Sequence, residues 1–353
     1  MTTTSVANEH PPTRAKGRMS RRSRVLLASL GLLGAIVVMV SLVWPQGEGS
    51  NVASAKPDHV ELTPAAIDGA RAYGYLKTIC ELGPRLAGSA ANTKQRNLVA
   101  AHFKSQGATI REQHFTGRDP LSGKTVRMVN LIGSWHPERT ERVLVAAHYD
   151  TRPYPDQEQD PRLRNAPFLG ANDCASGVAL LMEMANHMKD SPTPWGVDFV
   201  LLDGEELVYD RTGEYFLGSK AFAKAYARGK RRSKSRYVAG ILLDMVGGKN
   251  LKLKREPYSA KLAPKLLDDV WGVAARLGAR SFRDDFGREV LDDHLPLNDA
   301  GIPTIDIIDF DYPHWHTAGD VPENCSPASL TEVGRVVTAW LAKPKHPPAR
   351  PAR

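Results

Sequence analysis

Residues 197–206 read Val-Asp-Phe-Val-Leu-Leu-Asp-Gly-Glu-Glu. Val197–Leu202 is short, apolar and rich in branched side chains, which is the composition of a buried strand. It breaks at Asp203-Gly204 into two adjacent acids, Glu205 and Glu206. By itself such an ending is a weak signal, but in α/β folds the site lies at the carboxyl ends of the strands.

The same pattern recurs along the chain. Val126–Ile132, Val143–Ala147, Val238–Leu243 and Thr304–Ile308 also read as strands. Residues 90–106, 175–189, 216–228, 260–277 and 327–342 have helical patterning. Thr63-Pro64 is read as opening a helix at the start of the folded domain. The alternation predicts a three-layer α/β/α sandwich around a central mixed, largely parallel sheet.

The strand ends carry the polar residues. Val143–Ala147 leads into His148-Tyr149-Asp150, Val238–Leu243 into Asp244, and Thr304–Ile308 towards Trp315-His316-Thr317. Gly170-Ala171-Asn172-Asp173 opens the helix from residue 175. Singly, such acids serve as caps or solvated loops, and a lone histidine is more often structural. Together at one edge they predict a metal centre. Nitrogen and oxygen donors from separate strand ends suit Zn²⁺ with an open catalytic position. Of the paired glutamates, one is expected to bind metal and the other to face the open position as a proton shuttle.

Other features bound the function. The net charge of +8 is concentrated in the ends. Residues 1–24 carry +5 and residues 343–353 carry +4, leaving about −1 between them, so no nucleic-acid partner is expected. The cluster from Lys230 to Arg236 reads as a solvated loop. Val25 to Trp44 is apolar and uncharged. At about 1.5 Å rise per residue it matches the bilayer core. The arginines before it place that end in the cytoplasm. A single-pass anchor with an extracytoplasmic catalytic domain is expected. A signal peptide cleaved near Ala53-Ser54-Ala55 would instead release the domain.

The expected organisation is a basic tail at 1–24, the anchor at 25–44, a linker at 45–62, a catalytic domain at 63–343 and a Pro- and Arg-rich tail at 344–353. Cys80, Cys174 and Cys325 leave room for one disulfide and a spare thiol. With no Cys-x-x-Cys, a thiolate zinc site is excluded. Cys174, His187, His314, Trp195 and Trp271 are read as packing or surface residues.

Taken in order and spacing, His148-Tyr149-Asp150, Gly170–Asp173, Asp203–Glu206, Asp244 and Trp315-His316-Thr317 resemble the zinc aminopeptidase superfamily over roughly residues 65–342. Two of its branches differ in their metals. The aminopeptidase pattern implies two zincs, with His148 and Asp244 on one, Glu206 and His316 on the other, Asp173 between them and Glu205 as general base. The glutaminyl cyclase pattern implies one zinc on Asp173, Glu206 and His316, with Asp244 paired to a second carboxylate.

Asp292-Asp293-His294-Leu295-Pro296 resembles the cyclases, with Asp292 as partner of Asp244 and Trp315 lining the substrate pocket. Phe168–Ala171 and Leu217-Gly218-Ser219 also resemble cyclase segments. Leu207-Val208-Tyr209 lacks a tryptophan that the cyclases carry, and Asp306 stands where they carry histidine. Both departures bear on the pocket. The resemblance implies a zinc-dependent glutaminyl-peptide cyclotransferase acting on peptide N-termini, and a monomer is expected. The runner-up is a two-metal aminopeptidase. A third reading is an inactive peptide-binding ectodomain, against which stand the intact ligands and Glu205.

Overall fold

The computed structural model describes residues 64–209, 212–230 and 232–344. The expected basic tail, anchor and linker lie outside these residues, as does the tail from residue 345. Among the described residues no helix is long and apolar enough to cross a membrane.

The chain runs α1 (Gly69–Cys80), α2 (Ala90–Ser105), β1 (Thr109–Arg118), β2 (Thr125–Trp135) and β3 (Glu141–His148). A tight turn at Ala171–Ser176 leads into α3 (Gly177–Met188), β4 (Gly196–Leu202), and the short antiparallel pair β5 (Val208–Tyr209) and β6 (Thr212–Gly213). Then come α4 (Leu217–Gly229), β7 (Arg236–Asp244), β8 (Leu253–Arg255), α5 (Pro257–Leu262) and α6 (Pro264–Leu277). The chain ends with β9 (Phe282–Phe286), α7 (His294–Asp299), β10 (Thr304–Ile308) and α8 (Pro327–Leu341).

The main sheet has the order β1-β2-β4-β3-β7-β10. Strands β4, β3, β7 and β10 are parallel, and β2 and β1 extend the sheet antiparallel. His148 pairs with Leu202, and Asp244 with Ile308, so the parallel strands finish level.

Side chains alternate between the two faces, as the twofold period of a strand requires. Val143, Val145 and Ala147 pack with α1, α2, α3, α6 and α8 in the larger core. Leu144 and Ala146 pack with Phe222 of α4 and Leu297 of α7 in the smaller one. The three-layer sandwich and largely parallel sheet are as expected.

The first turn of α3 lies directly on the strand ends. A Cβ at Gly177 would meet the Leu243 carbonyl oxygen at 2.7 Å and Ala147 Cβ at 3.0 Å. Glycine is what allows this approach.

Several elements depart from the sequence reading. The helix expected at 260–277 is two helices, because Pro264 cannot continue α5 and pushes Ala263 to φ −139°, ψ 51°. The first helix begins at Gly69, capped by the Asp68 carboxylate on Arg71 N–H, and not directly at Thr63-Pro64. Strand β1 was not expected. Its sequence, Thr-Ile-Arg-Glu-Gln-His-Phe-Thr-Gly-Arg, is too polar to read as an apolar run, and it is an edge strand. All three cysteines are buried and unpaired.

Candidate active site at the strand ends

The loops after β3, β4, β7 and β10 bring the predicted residues together. His148 is the last residue of β3 and is buried. Its Nε2 is 3.1 Å from Asp173 Oδ1 and 3.3 Å from Asp244 Oδ1. His316 Nε2 is 3.1 Å from Glu206 Oε1 and 3.4 Å from Asp173 Oδ2. Two donor sets therefore share Asp173, namely His148–Asp173–Asp244 and Asp173–Glu206–His316, each with ligand atoms within 4.8 Å of one another.

Each residue is set by its backbone. Gly170, with φ of 55°, starts the turn that carries Asp173. The N–H groups of Asn172 and Asp173 donate to the two oxygens of Asp320 at 2.8 and 3.1 Å. Arg85 is fully buried and donates to the carbonyls of Leu169 and Gly170 at 2.7 and 3.0 Å. Gly204, with φ of 73°, turns the chain at the end of β4. Asp150 then accepts the N–H of Glu205 at one oxygen and that of Glu206 at the other.

His316 has φ of 53°, a left-handed backbone costing on the order of 1 kcal/mol for a non-glycine residue. Its carbonyl is held by Gln157 N–H at 3.0 Å. Trp315 stacks on the His316 ring, with centroids 4.0 Å apart.

The electrostatics separate these groups. Burial raises the Asp173 carboxyl, but His148 and His316 more than reverse this and hold it far below the usual carboxylate range. Burial likewise opposes charge on His316, yet Glu206, Asp156 and Asp173 raise its pKa well above the ordinary value. His148 is raised too: burial is outweighed by Cys174 and by Asp150, Asp173 and Asp244. Glu206 falls, because His316 and Arg152 overcome its burial. Glu205 is pushed well up by burial and then by the charge of Glu206. The adjacent glutamates are thus shifted in opposite directions, Glu206 down and Glu205 up, a separation of the kind seen where neighbouring carboxylates take different roles.

Asp292 is buried, and burial together with the charge of Asp244 pushes it well above the carboxylate range. Asp244 itself is raised, chiefly by burial. Asp306, the departure noted in the sequence, is fully buried behind Asp292 and raised by burial and by the Asp292 charge. His294 completes this cluster, with Nε2 3.4 Å from Glu256 Oε2. Leu207 and Val208 are buried away from the pocket.

A pocket of about 430 Å³ opens over these groups, with Tyr215, Phe216, Leu291, Phe310 and Trp315 among its walls. Glu205, Glu206, Asp173, Asp244, Asp292 and His316 line it as well. The donor set suits a metal. Buried carboxylates converge on two imidazoles, and Asp244 Oδ1 meets His148 Nε2, itself a potential metal-binding atom, at 3.3 Å. That concentration of negative charge calls for a cation.

Four residues that hold the site were not read from the sequence: Arg85, Arg152, Asp156 and Asp320. Arg152-Pro153-Tyr154-Pro155-Asp156 follows a strand end with a charged pair four residues apart, the one signal that could have drawn attention to two of them. The residues read as bland behave so. His187 lies 3.2 Å from Glu183, Cys174 donates to the Asp150 carbonyl, and Trp271 packs in the larger core.

The model of peptidase family M28 matches residues 130–341. A glutaminyl cyclase of Fimbriiglobus ruber is 40% identical in sequence, with a TM-score of 0.79 over 82% of this chain and 99% of that one. A leucine aminopeptidase precursor of Bacteroides thetaiotaomicron is 33% identical, with a TM-score of 0.74 over 80% of this chain and 100% of that one. A glutaminyl-peptide cyclotransferase-like protein of Bos taurus is 25% identical over 287 residues, covering 73% of this chain and 72% of that one. Fold, strand-end residues and family match agree: the chain belongs to peptidase family M28.

Proposed function

We infer that the chain is a glutaminyl-peptide cyclotransferase, converting N-terminal glutamine of peptides to pyroglutamate with release of ammonia. Its 40% identity to the Fimbriiglobus ruber glutaminyl cyclase, over nearly all of that chain, is the observation that carries this reading. The buried carboxylate Asp292 beside Asp244 supports it from within the site.

The proposed metal is one zinc on Asp173, Glu206 and His316, with Asp244 held by Asp292 as a hydrogen-bonding group. Bound there, zinc supplies Lewis-acid polarisation of an amide carbonyl. The protein's own groups do the rest. The pocket seats the glutamine side chain against Trp315, which excludes water. Glu205, its carboxyl raised by burial and by Glu206, takes a proton from the α-amine. The amine nitrogen bonds to the side-chain carbonyl carbon, and the bond from that carbon to the amide nitrogen breaks. Glu205 returns the proton to the leaving nitrogen, which departs as ammonia. Asp244, with Asp292, orients the substrate nitrogen. Ring closure within one residue needs little more than correct placement.

A second reading is a two-zinc aminopeptidase, with His148 and Asp244 as ligands of the other metal. The His148–Asp173–Asp244 set is the observation in its favour. The experiment that separates the two feeds purified protein a Gln-initiated and a Leu-initiated peptide. Ammonia from the first, without amino acid from the second, is expected. Free amino acid without ammonia would sink the cyclase reading. Zinc analysis adds to this, with about one ion per chain expected for the cyclase and about two for the peptidase.

From the sequence we also propose a membrane anchor at Val25–Trp44 with the catalytic domain outside, and a monomer. Carbonate extraction of membranes that left the full chain in the supernatant would dismiss the anchor. A dimer mass by light scattering of the catalytic domain would dismiss the monomer.

A further inference from the structure

Arg152 lies in the loop after β3 and is 3% exposed. Its Nη1 donates to Glu206 Oε2. Its Nη2 donates to Asp156 Oδ2 at 2.7 Å and to the Tyr215 hydroxyl at 3.2 Å. The other Asp156 oxygen stands 2.9 Å from His316 Nδ1. The guanidinium carbon also lies 5.7 Å from the Tyr215 ring centroid, and Tyr215 is an exposed wall of the pocket.

We propose that Arg152 is a positioning residue. It fixes Glu206 so that only Oε1 faces the site, orients His316 through Asp156, and ties both to the pocket wall at Tyr215. The inference rests on the proposed assignment of Glu206 and His316 as metal ligands.

The physical case has three parts. First, Glu206 has two equivalent oxygens, and a guanidinium on Oε2 decides which one is presented inward, where Oε1 lies 3.1 Å from His316 Nε2. Second, an imidazole that binds metal through Nε2 carries its proton on Nδ1, and a carboxylate there sets both tautomer and ring plane. Asp156 is in that place, and Arg152 keeps Asp156 in place. Third, one planar fork reaches Glu206, Asp156 and Tyr215 at once, because its donors are fixed in a plane. A lysine offers the same charge from a single nitrogen and cannot span all three.

The charge argument sharpens the prediction. A guanidinium repels a nearby metal ion, so its charge alone weakens metal binding. If Arg152 acted through charge only, Arg152→Gln would bind zinc more tightly and Arg152→Lys would match the wild type. If it acts by geometry, both variants bind zinc more weakly.

The test uses purified holoenzyme, with zinc affinity read by competition against a chelator and ammonia release from a Gln-initiated peptide measured at saturating zinc. Arg152→Lys and Arg152→Gln are each expected to lose about 10–100-fold in zinc affinity, the range seen when a partner behind a metal ligand is removed. Turnover should fall even when the enzyme is fully loaded, while the wild type is unaffected by the same zinc excess. Arg152→Lys with wild-type affinity and turnover overturns the proposal. So does a variant that merely melts earlier yet turns over normally once loaded.

Should Arg152 variants fail to fold, Asp156→Asn tests the His316 arm alone. A weakened zinc affinity supports the proposal, and an unchanged one overturns it. A wild-type protein that holds no zinc, or releases no ammonia, defeats the functional reading instead, so the two failures are distinguishable.

Discussion

Asp150 Oδ2 accepts the backbone N–H of Glu206 at 3.0 Å, while its other oxygen accepts that of Glu205 at the same distance. The residue that follows His148 by two in the chain thus holds the paired glutamates from below. An asparagine there offers one acceptor where two are needed. Asp150→Asn is expected to leave one buried N–H unpaired and to destabilise the protein by about 1–3 kcal/mol. The urea midpoint should fall at unchanged slope, and an unmoved midpoint would count against this role.

Glu205→Gln keeps the shape of the proposed proton shuttle and removes its basicity. Ammonia release should fall by at least about 10²-fold, the usual size of an acid–base contribution. Zinc content should be unchanged, because Glu206 and not Glu205 lies with His316 and Asp173. Persistent turnover would show that another group moves the proton.

Metal uptake should depend on pH. In the metal-free protein His316 is raised well above its ordinary value, and so is His148. A raised histidine is protonated below its folded pKa and must lose that proton before Nε2 can bind metal. Zinc affinity should therefore rise with pH across the neutral range and stop rising once the pH passes the folded pKa. The slope of log affinity against pH counts the protons released, about one if His316 alone is displaced and closer to two if His148 also binds. A flat profile between pH 6 and 8 would contradict the assignment.

The same linkage has an opposite sign for stability. Without metal, the ion pairs of these histidines with Asp173 and Glu206 add stability that is fully present below the unfolded histidine pKa of about 6.5. That stability is lost as pH rises through the raised folded values. Thermal melts of the chelated protein should thus drop on the alkaline side, and added zinc should remove most of that drop. A chelated protein melting at the same temperature from pH 6 to 9 would argue against the histidine contribution.

Asp292→Ala should cut cyclisation and free Asp244 from its partner. Metal content is then expected to rise above the wild-type value as His148, Asp173 and Asp244 become able to share a second ion. Unchanged turnover and unchanged zinc would remove the case for the carboxylate pair.

What could be read from the sequence follows from locality. Val143–Ala147, Val197–Leu202 and Val238–Leu243 announce themselves because central parallel strands are buried on both faces and must be apolar throughout, and Thr304–Ile308, although at the sheet edge, is buried at every position. The residues at their ends could be read with them, since β3, β4, β7 and β10 finish level. Strand β1 could not, because it is an exposed edge that carries charge and lacks a simple pattern. Helix α7 was missed for a similar reason, as it is short and holds Pro296. The split between α5 and α6 is written in the sequence by Pro264 itself. Arg85, Arg152, Asp156 and Asp320 owe their places to loop conformation. Their partners lie tens of residues away in most cases, and no periodicity records such pairings.

The close seat of α3 on the sheet gives the site its scale. Asp173 belongs to the turn before that helix, whereas His148 and Asp244 belong to the strands beneath it. The gap between those two layers is held open by nothing larger than the hydrogen atom of Gly177. A methyl group at that position would act as a shim, lifting one side of the proposed metal centre away from the other while leaving every proposed ligand in the sequence untouched. The catalytic geometry is therefore gauged as much by a missing side chain in the core as by the carboxylates and imidazoles that face the pocket.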